Sequence, residues 1–260
     1  MAVIRPAAVA GSFYPCDATE LRELADDFLE RPRSVAVEGR LRGLVVPHAG
    51  YAYSGGVAGA GFKLLAKDAS RVKRALLLGP SHYAAFDGVC ECGFDFWETP
   101  LGTVPVARLG VKSGLVSVIP QAHLPEHCLE VQLPFLQRVL KKFEITPLLC
   151  GDVDAGELAK VLEKEANGET VFIASSDLSH YLPYEDAVRR DALANESVPA
   201  LDIAKFEKLG DACGKTPILV LMHLAQKMGW KGVFVGYKNS GDTAGGKARV
   251  VGYGCYAFVD

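Results

Sequence analysis

Apolar residues in this chain follow two rhythms. Short unbroken runs occur at residues 44–46 (LVV), 75–78 (ALLL), 145–149 (ITPLL) and 171–174 (VFIA). Such runs predict strands buried on both faces. Between them the spacing becomes helical. Asp17 to Glu20 reads as an N-cap with a glutamate three positions on, and Leu21, Leu24, Ala25, Phe28 and Leu29 continue as one face. Helices are also predicted over 56–65, 127–140, 155–165, 184–195, 202–209 and 216–228. Pro134 lies inside the second of these, where it must kink the helix or delay its start. Residues 88–96 and 102–106 predict strands joined by a turn at Thr99-Pro100, and 232–237 and 250–259 predict closing strands. Strands alternating with helices define an α/β fold, an α/β/α sandwich on a mostly parallel central sheet. No linker, repeat or low-complexity segment divides the chain, so residues 1–260 read as a single domain.

Three of the buried runs end alike: VVPH at His48, LLLGPSH at His82 and FIASSDLSH at His180. In open α/β sheets, ligands bind beyond the carboxyl ends of the strands. If these strands are parallel neighbours, His48, His82, Asp177 and His180 converge on one edge. Cys213, in DACGKTP, precedes a predicted helix, whose N-terminal partial charge favours a thiolate. His127 and Glu130 in EHCLE would share a helical face, a spacing that suits metal ligation, a supporting hydrogen bond or an ordinary capped helix. His123 and His223 lack this strand-end context; His223, within an apolar helix, reads as a packing residue, and Asp242 as a turn residue that could also reach the pocket.

Composition narrows the function classes. The 260 residues are 49% hydrophobic and 23% charged with a net charge of −3, a soluble-protein balance with no basic stripe for nucleic acid. Seven cysteines without a CxxC pair argue against a disulfide framework and for a reducing compartment. The N-terminus lacks a secretory pattern and no apolar run spans a membrane, so a cytoplasmic protein is expected. SSDLSH is not a GxSxG elbow, and the glycine clusters form neither a P-loop nor a dinucleotide fingerprint.

Taken in order, AGSFYP (10–15), PHAGYAYSG (47–55), LGPSH (78–82), EHCLEVQLPFLQ (126–137), SSDLSHY (175–181), CGKTPI (213–218) and NSGD (239–242) resemble the Memo family, called AmmeMemoRadiSam system protein B in prokaryotes. The resemblance implies a fold similar to class III extradiol (LigB-type) dioxygenases, which hold non-haem Fe(II) with two histidines and a glutamate. It also implies metal ligands His48, His82 and Cys213, with Asp177 and His180 as the catalytic residues beside the metal. Cysteine in place of the carboxylate makes the site softer, suiting iron or copper, with zinc as a further candidate. Three functions follow. One is a metal-dependent oxidoreductase, with a pathway link to a radical SAM protein and an AMMECR-like protein. Another is a non-catalytic protein that binds a peptide or small molecule in the same pocket. The third is a zinc-type hydrolase.

Overall fold

A computed structural model of the chain describes residues 2–32 and 35–260. Strand β1 (Ile4–Arg5) leads to helix α1 (Ala18–Glu30), whose N-cap Asp17 accepts from the N–H groups of Thr19 and Glu20. There follow β2 (Leu41–Val46), α2 (Tyr51–Ala66) and β3 (Arg74–Pro80). Four short strands come next: β4 (Val89–Glu91), β5 (Phe96–Thr99), β6 (Gly102–Pro105) and β7 (Val116–Val118). The middle of the chain holds α3 (Pro120–His123), α4 (Leu133–Val139), β8 (Glu144–Cys150), α5 (Ala155–Leu162) and β9 (Thr170–Ser175). It closes with β10 (His180–Leu182), α6 (Tyr184–Ser197), α7 (Ile203–Leu209), α8 (Lys215–Met228), β11 (Lys231–Asn239) and β12 (Val250–Val259).

The main sheet has a parallel centre in the order β2-β9-β3-β8, with antiparallel strands at its margins, β12 beside β2 and β4 beside β8. Its central strands are apolar throughout because both faces are covered. Leu44, Val46, Leu77 and Ile173 face a layer built from α1, α2 and α4. Val45, Leu76, Phe172 and Ala174 face the layer of α5 to α8. The β2-α2-β3 unit steps over β9 on one face, and β8-α5-β9 steps back over β3 on the other. The α/β/α sandwich expected from the sequence is therefore present, and its strand order changes direction where the ends of β2, β9 and β3 lie side by side.

Several boundaries differ from expectation. The strand expected over 88–96 is two strands in different sheets, because Gly93 turns the backbone to φ +72° between them. Helix α2 starts at Tyr51, ahead of its glycines, because the buried Tyr51 ring stacks on Phe135 and its hydroxyl donates to Val131 O at 2.8 Å. Its small residues serve a neighbouring helix as well as the sheet: a Cβ on Gly59 would lie 2.2 Å from the Phe28 carbonyl oxygen of α1. The helix expected over 127–140 begins only at Leu133, after a 3-10 turn (Glu130–Gln132), with Pro134 in the first turn where its missing N–H costs nothing.

That late start leaves a loop between α3 and the 3-10 turn, and Arg5 binds its carbonyls. Its buried guanidinium donates to the carbonyls of His123 (2.7 Å) and Glu126 (2.6 Å) and to Glu130 Oε2 (2.6 Å), while lying 4.1 Å above the Trp97 ring. Glu130 also accepts from the N–H groups of Ala8 and Val9 and from the Tyr14 hydroxyl. The N-terminal arm is thus fastened to the EHCLE segment through one fully buried ion pair. Removing one member of such a pair leaves a charge without its partner, at a cost of about 3–5 kcal/mol. Arg5→Met is expected to lose roughly that much stability, and Tyr14→Phe about 1–2 kcal/mol, as read from denaturant midpoints at constant slope.

Candidate metal centre

The C-terminal ends of β2, β9 and β3 release His48, Asp177 and His82 at one level of the sheet. The segment before α8 enters beside them. Gly214 permits this approach, since a Cβ there would lie 2.6 Å from both Ser175 O and Ser176 Cβ. Gly214 N–H donates to Ser176 Oγ at 2.9 Å, and Cys213 N–H to Asp177 O at 3.2 Å. As a result Cys213 Sγ lies 3.2 Å from His48 Nε2, although the two residues are 165 positions apart. Ligand atoms of His48, His82 and Cys213 all lie within 4.8 Å of one another. Atoms bound about 2.0–2.3 Å from one ion are roughly 3–4.5 Å apart, so this group can close around a cation.

The hydrogen bonds behind the two imidazoles determine which ring nitrogen each presents. Ser175 Oγ has one proton, which it donates to Cys128 O at 2.6 Å. It accepts from Gln132 Nε2 at 2.8 Å, an amide whose orientation follows from its second acceptor, Pro47 O at 3.0 Å. The contact from His48 Nδ1 to Ser175 Oγ, 3.1 Å, must then be an Nδ1–H donation. His82 Nδ1 faces the carboxylate Glu126 Oε1 at 2.9 Å and donates likewise. Both rings therefore keep the Nε2 lone pair free, the arrangement in which a hydrogen-bonded Nδ1–H orients a ligating histidine.

Glu126 is fully buried and accepts from the N–H groups of His82, His127 and Cys128. Burial opposes its charge, but hydrogen bonds from His127 and His82 prevail and hold the carboxyl well below its ordinary range. With Cys128 and His82 it forms a second group within 4.8 Å. Its oxygens are occupied, however, and Cys128 Sγ donates to Pro80 O. That group braces His82.

Asp177 braces the other side. Its Oδ1 accepts His48 N–H at 2.8 Å and its N–H donates to Cys213 Sγ at 3.3 Å. Burial raises its carboxyl to about 6 against the pull of that hydrogen bond. His48 is pushed well below the usual imidazole range, first by burial and then by the neighbouring charges of His127 and His82, so it is neutral. At Cys213, which immediately precedes the N-cap Gly214 of α8, burial and the Asp177 charge act against a thiolate and push the thiol up to about 12. Its Sγ lies 3.2 Å from His48 Nε2 and 3.6 Å from Asp177 O.

His180 opens β10 and is exposed. Its ring lies 5.7 Å from that of Tyr181. The expected pairing of His127 with Glu130 on one helical face is absent, because neither lies in α4 and Glu130 belongs to Arg5. His127 instead stacks on His82 with centroids 4.8 Å apart. His123 packs in the interior, its Nε2 3.1 Å from Cys90 O. His223 is half-buried on α8, and Asp242 caps the turn at Asn239 and accepts from Tyr184. All seven cysteines are free, and among the described residues no helix is long and apolar enough to cross a membrane.

Residues 5–257 match the family model described as Memo-like protein. The chain belongs to the Memo family. It is 35% identical to a MEMO1 family protein of Saccharolobus solfataricus over 95% of this chain and 96% of that protein. It is 36% identical to one from Sulfolobus acidocaldarius, covering 99% and 100%, and 35% identical to one from Ignicoccus hospitalis, covering 98% and 99%.

In protein free of metal, nitrogen NMR of His48 and His82 at neutral pH is expected to show the Nδ1–H tautomer for both. Ser175→Ala should abolish that preference at His48 alone and lower stability by about 1–3 kcal/mol, because it strands buried donors. An Nε2–H tautomer at either ring in the unmodified chain would contradict the assignment.

Proposed function

We propose that this Memo family protein is a metal-dependent redox enzyme, dioxygenase-like, whose ion is held by His48, His82 and Cys213. The supporting observation is that two imidazole lone pairs and one sulfur converge, each aligned from behind by a separate buried acceptor or donor. One thiolate and two imidazoles suit iron or copper, and zinc as a further candidate. Such an ion would supply redox or Lewis-acid chemistry at the mouth of the sheet.

The chain's own residues would do the rest. Asp177 ties the His48 and Cys213 segments together through three hydrogen bonds, so it acts as the positioning acid. His180, exposed where β10 begins, would exchange protons with solvent and with a bound substrate. A cavity of about 660 Å³ with Cys213, Ser81, Asp87, Asp152 and Thr216 in its wall opens beside the sulfur. It offers room for a small polar molecule next to the centre.

His48→Ala and Cys213→Ser are expected to abolish uptake of Fe(II) or Cu(I) while leaving circular dichroism and the unfolding midpoint near those of the parent chain. His180→Ala should retain full metal stoichiometry. Elemental analysis after anaerobic loading and gel filtration reads all three. Undiminished metal in the first two variants would refute the ligand set, and loss of metal in the third would make His180 a ligand.

The pH dependence has a definite sign. His48 is already neutral, whereas the Cys213 thiol, raised to about 12, must give up its proton when the ion binds. Affinity should therefore rise about tenfold per pH unit between roughly pH 6 and 9, with one proton released per ion. Calorimetry in buffers of different ionisation enthalpy measures that proton directly.

A further inference from the structure

Helix α2 closes on β12 and stands away from β11. A Cβ on Gly61 of α2 would lie 2.8 Å from Cys255 Sγ of β12, whereas a Cβ on Gly236 of β11 would meet no atom within 4 Å. Gly236 pairs with Cys255 and Lys238 with Tyr253, and directly opposed residues of an antiparallel pair share a face. Cys255 and Tyr253 belong to the core layer of α1, α2 and α4. Gly236 and Lys238 are therefore on the α2 face of β11. The gap between that strand and the helix is a cavity of about 540 Å³, within the range of roughly 300–1,000 Å³ typical of small-molecule sites. None of His48, His82, Asp177 and Cys213 lines it.

The wall is largely apolar, and its uncommitted charged groups are donors. Phe28, Tyr51 and Tyr53 contribute rings, with Phe28 edge-on to Tyr51 at 6.2 Å, and Val57 and Val235 contribute branched side chains. Arg31 and Lys238 are its cations. Arg31 Nε donates to Asp27 Oδ1 at 2.6 Å. Neither the other guanidinium N–H groups nor the Lys238 ammonium has an acceptor among the described residues. The one acid in the wall is Asp242, and both its oxygens are in use: Oδ1 accepts from the Tyr184 hydroxyl at 2.7 Å and Oδ2 from Asn239 N–H at 3.0 Å.

We propose that this cavity binds a small aromatic carboxylate, its ring between α2 and β11 and its charged end toward Lys238 and Arg31. Burial of the ring against apolar wall supplies attraction without direction. The carboxylate supplies the direction, because it accepts charge-assisted hydrogen bonds from the unused donors. An amine of the same shape would meet two like charges instead. The site is separate from the candidate metal centre and does not depend on an ion there.

The test titrates the full chain, free of metal, with 2-naphthoate and with 2-naphthylmethylammonium, followed by calorimetry. The carboxylate is expected to bind at one site per chain, about tenfold or more tighter than the ammonium. Gly236→Leu and Ala60→Leu fill the cavity from opposite walls and should abolish naphthoate binding with circular dichroism unchanged. Lys238→Gln should weaken it about tenfold, and Lys238→Arg should retain it. Lys238 is exposed, so its substitution decides the case even where a filling residue disturbs the fold. Equal affinity for the two probes would overturn the proposal, as would undiminished binding in Lys238→Gln or in a folded filled variant. So would the absence of saturable naphthoate binding at millimolar concentration. Binding that is lost in His48→Ala would place the probe at the metal centre and overturn the proposal as well.

Discussion

The parallel pairing of β9 between β2 and β3 is the constraint on which the site depends. It is a buried ladder: Leu44 pairs with Ile173 and Leu76 with Phe172, and each of these side chains is fully covered. A shift of one residue would exchange the two faces of β9, sending Ile173 toward α8 and Phe172 toward α2. Volume and shape on both sides oppose that. Because the register is so strongly determined, the chain leaves β9 at Ser175, and Ser175 to Asp177 can act as a fixed bracket. Ser175 serves His48, Ser176 receives the start of α8, and Asp177 clasps His48 and Cys213 together.

A second constraint comes from the opposite end of the polymer. The segment bearing Glu126, His127 and Cys128 has no regular structure of its own. Arg5 gathers its carbonyls, and Glu126 gathers its N–H groups. This replaces a helix turn by two buried charged side chains, each satisfied by several partners, as buried charges require. The result is a loop rigid enough to present a carboxylate to His82 and a ring to its face.

Much of this was legible in the chain. Unbroken apolar runs gave the buried strands, and their shared histidine endings gave the edge where function gathers. Legibility failed where a tertiary partner overrides local pattern. Apolar periodicity over 127–140 said helix, but Arg5, more than a hundred residues earlier, holds the Glu130 carboxylate and the carbonyls just ahead of that stretch. A cysteine ahead of a helix said thiolate, and what the local pattern could not show is the burial and the Asp177 carboxylate that act against that charge. Ser175, Gln132 and Glu126 carry no signal as isolated polar residues. The His127 and Glu130 spacing in EHCLE did point to this segment, but through a shared helical face that the fold does not form.

One consequence concerns timing. Both imidazoles belong to the first third of the polymer, but the sulfur that completes the group comes at position 213, and β12, which flanks β2, comes last of all. During synthesis, on the order of ten seconds pass between the appearance of His82 and that of Cys213. Through that interval a nascent chain carries both imidazoles and five other cysteines, but not the sulfur that the fold sets beside them. The group of His48, His82 and Cys213 therefore closes only after the segment that precedes α8 has been made.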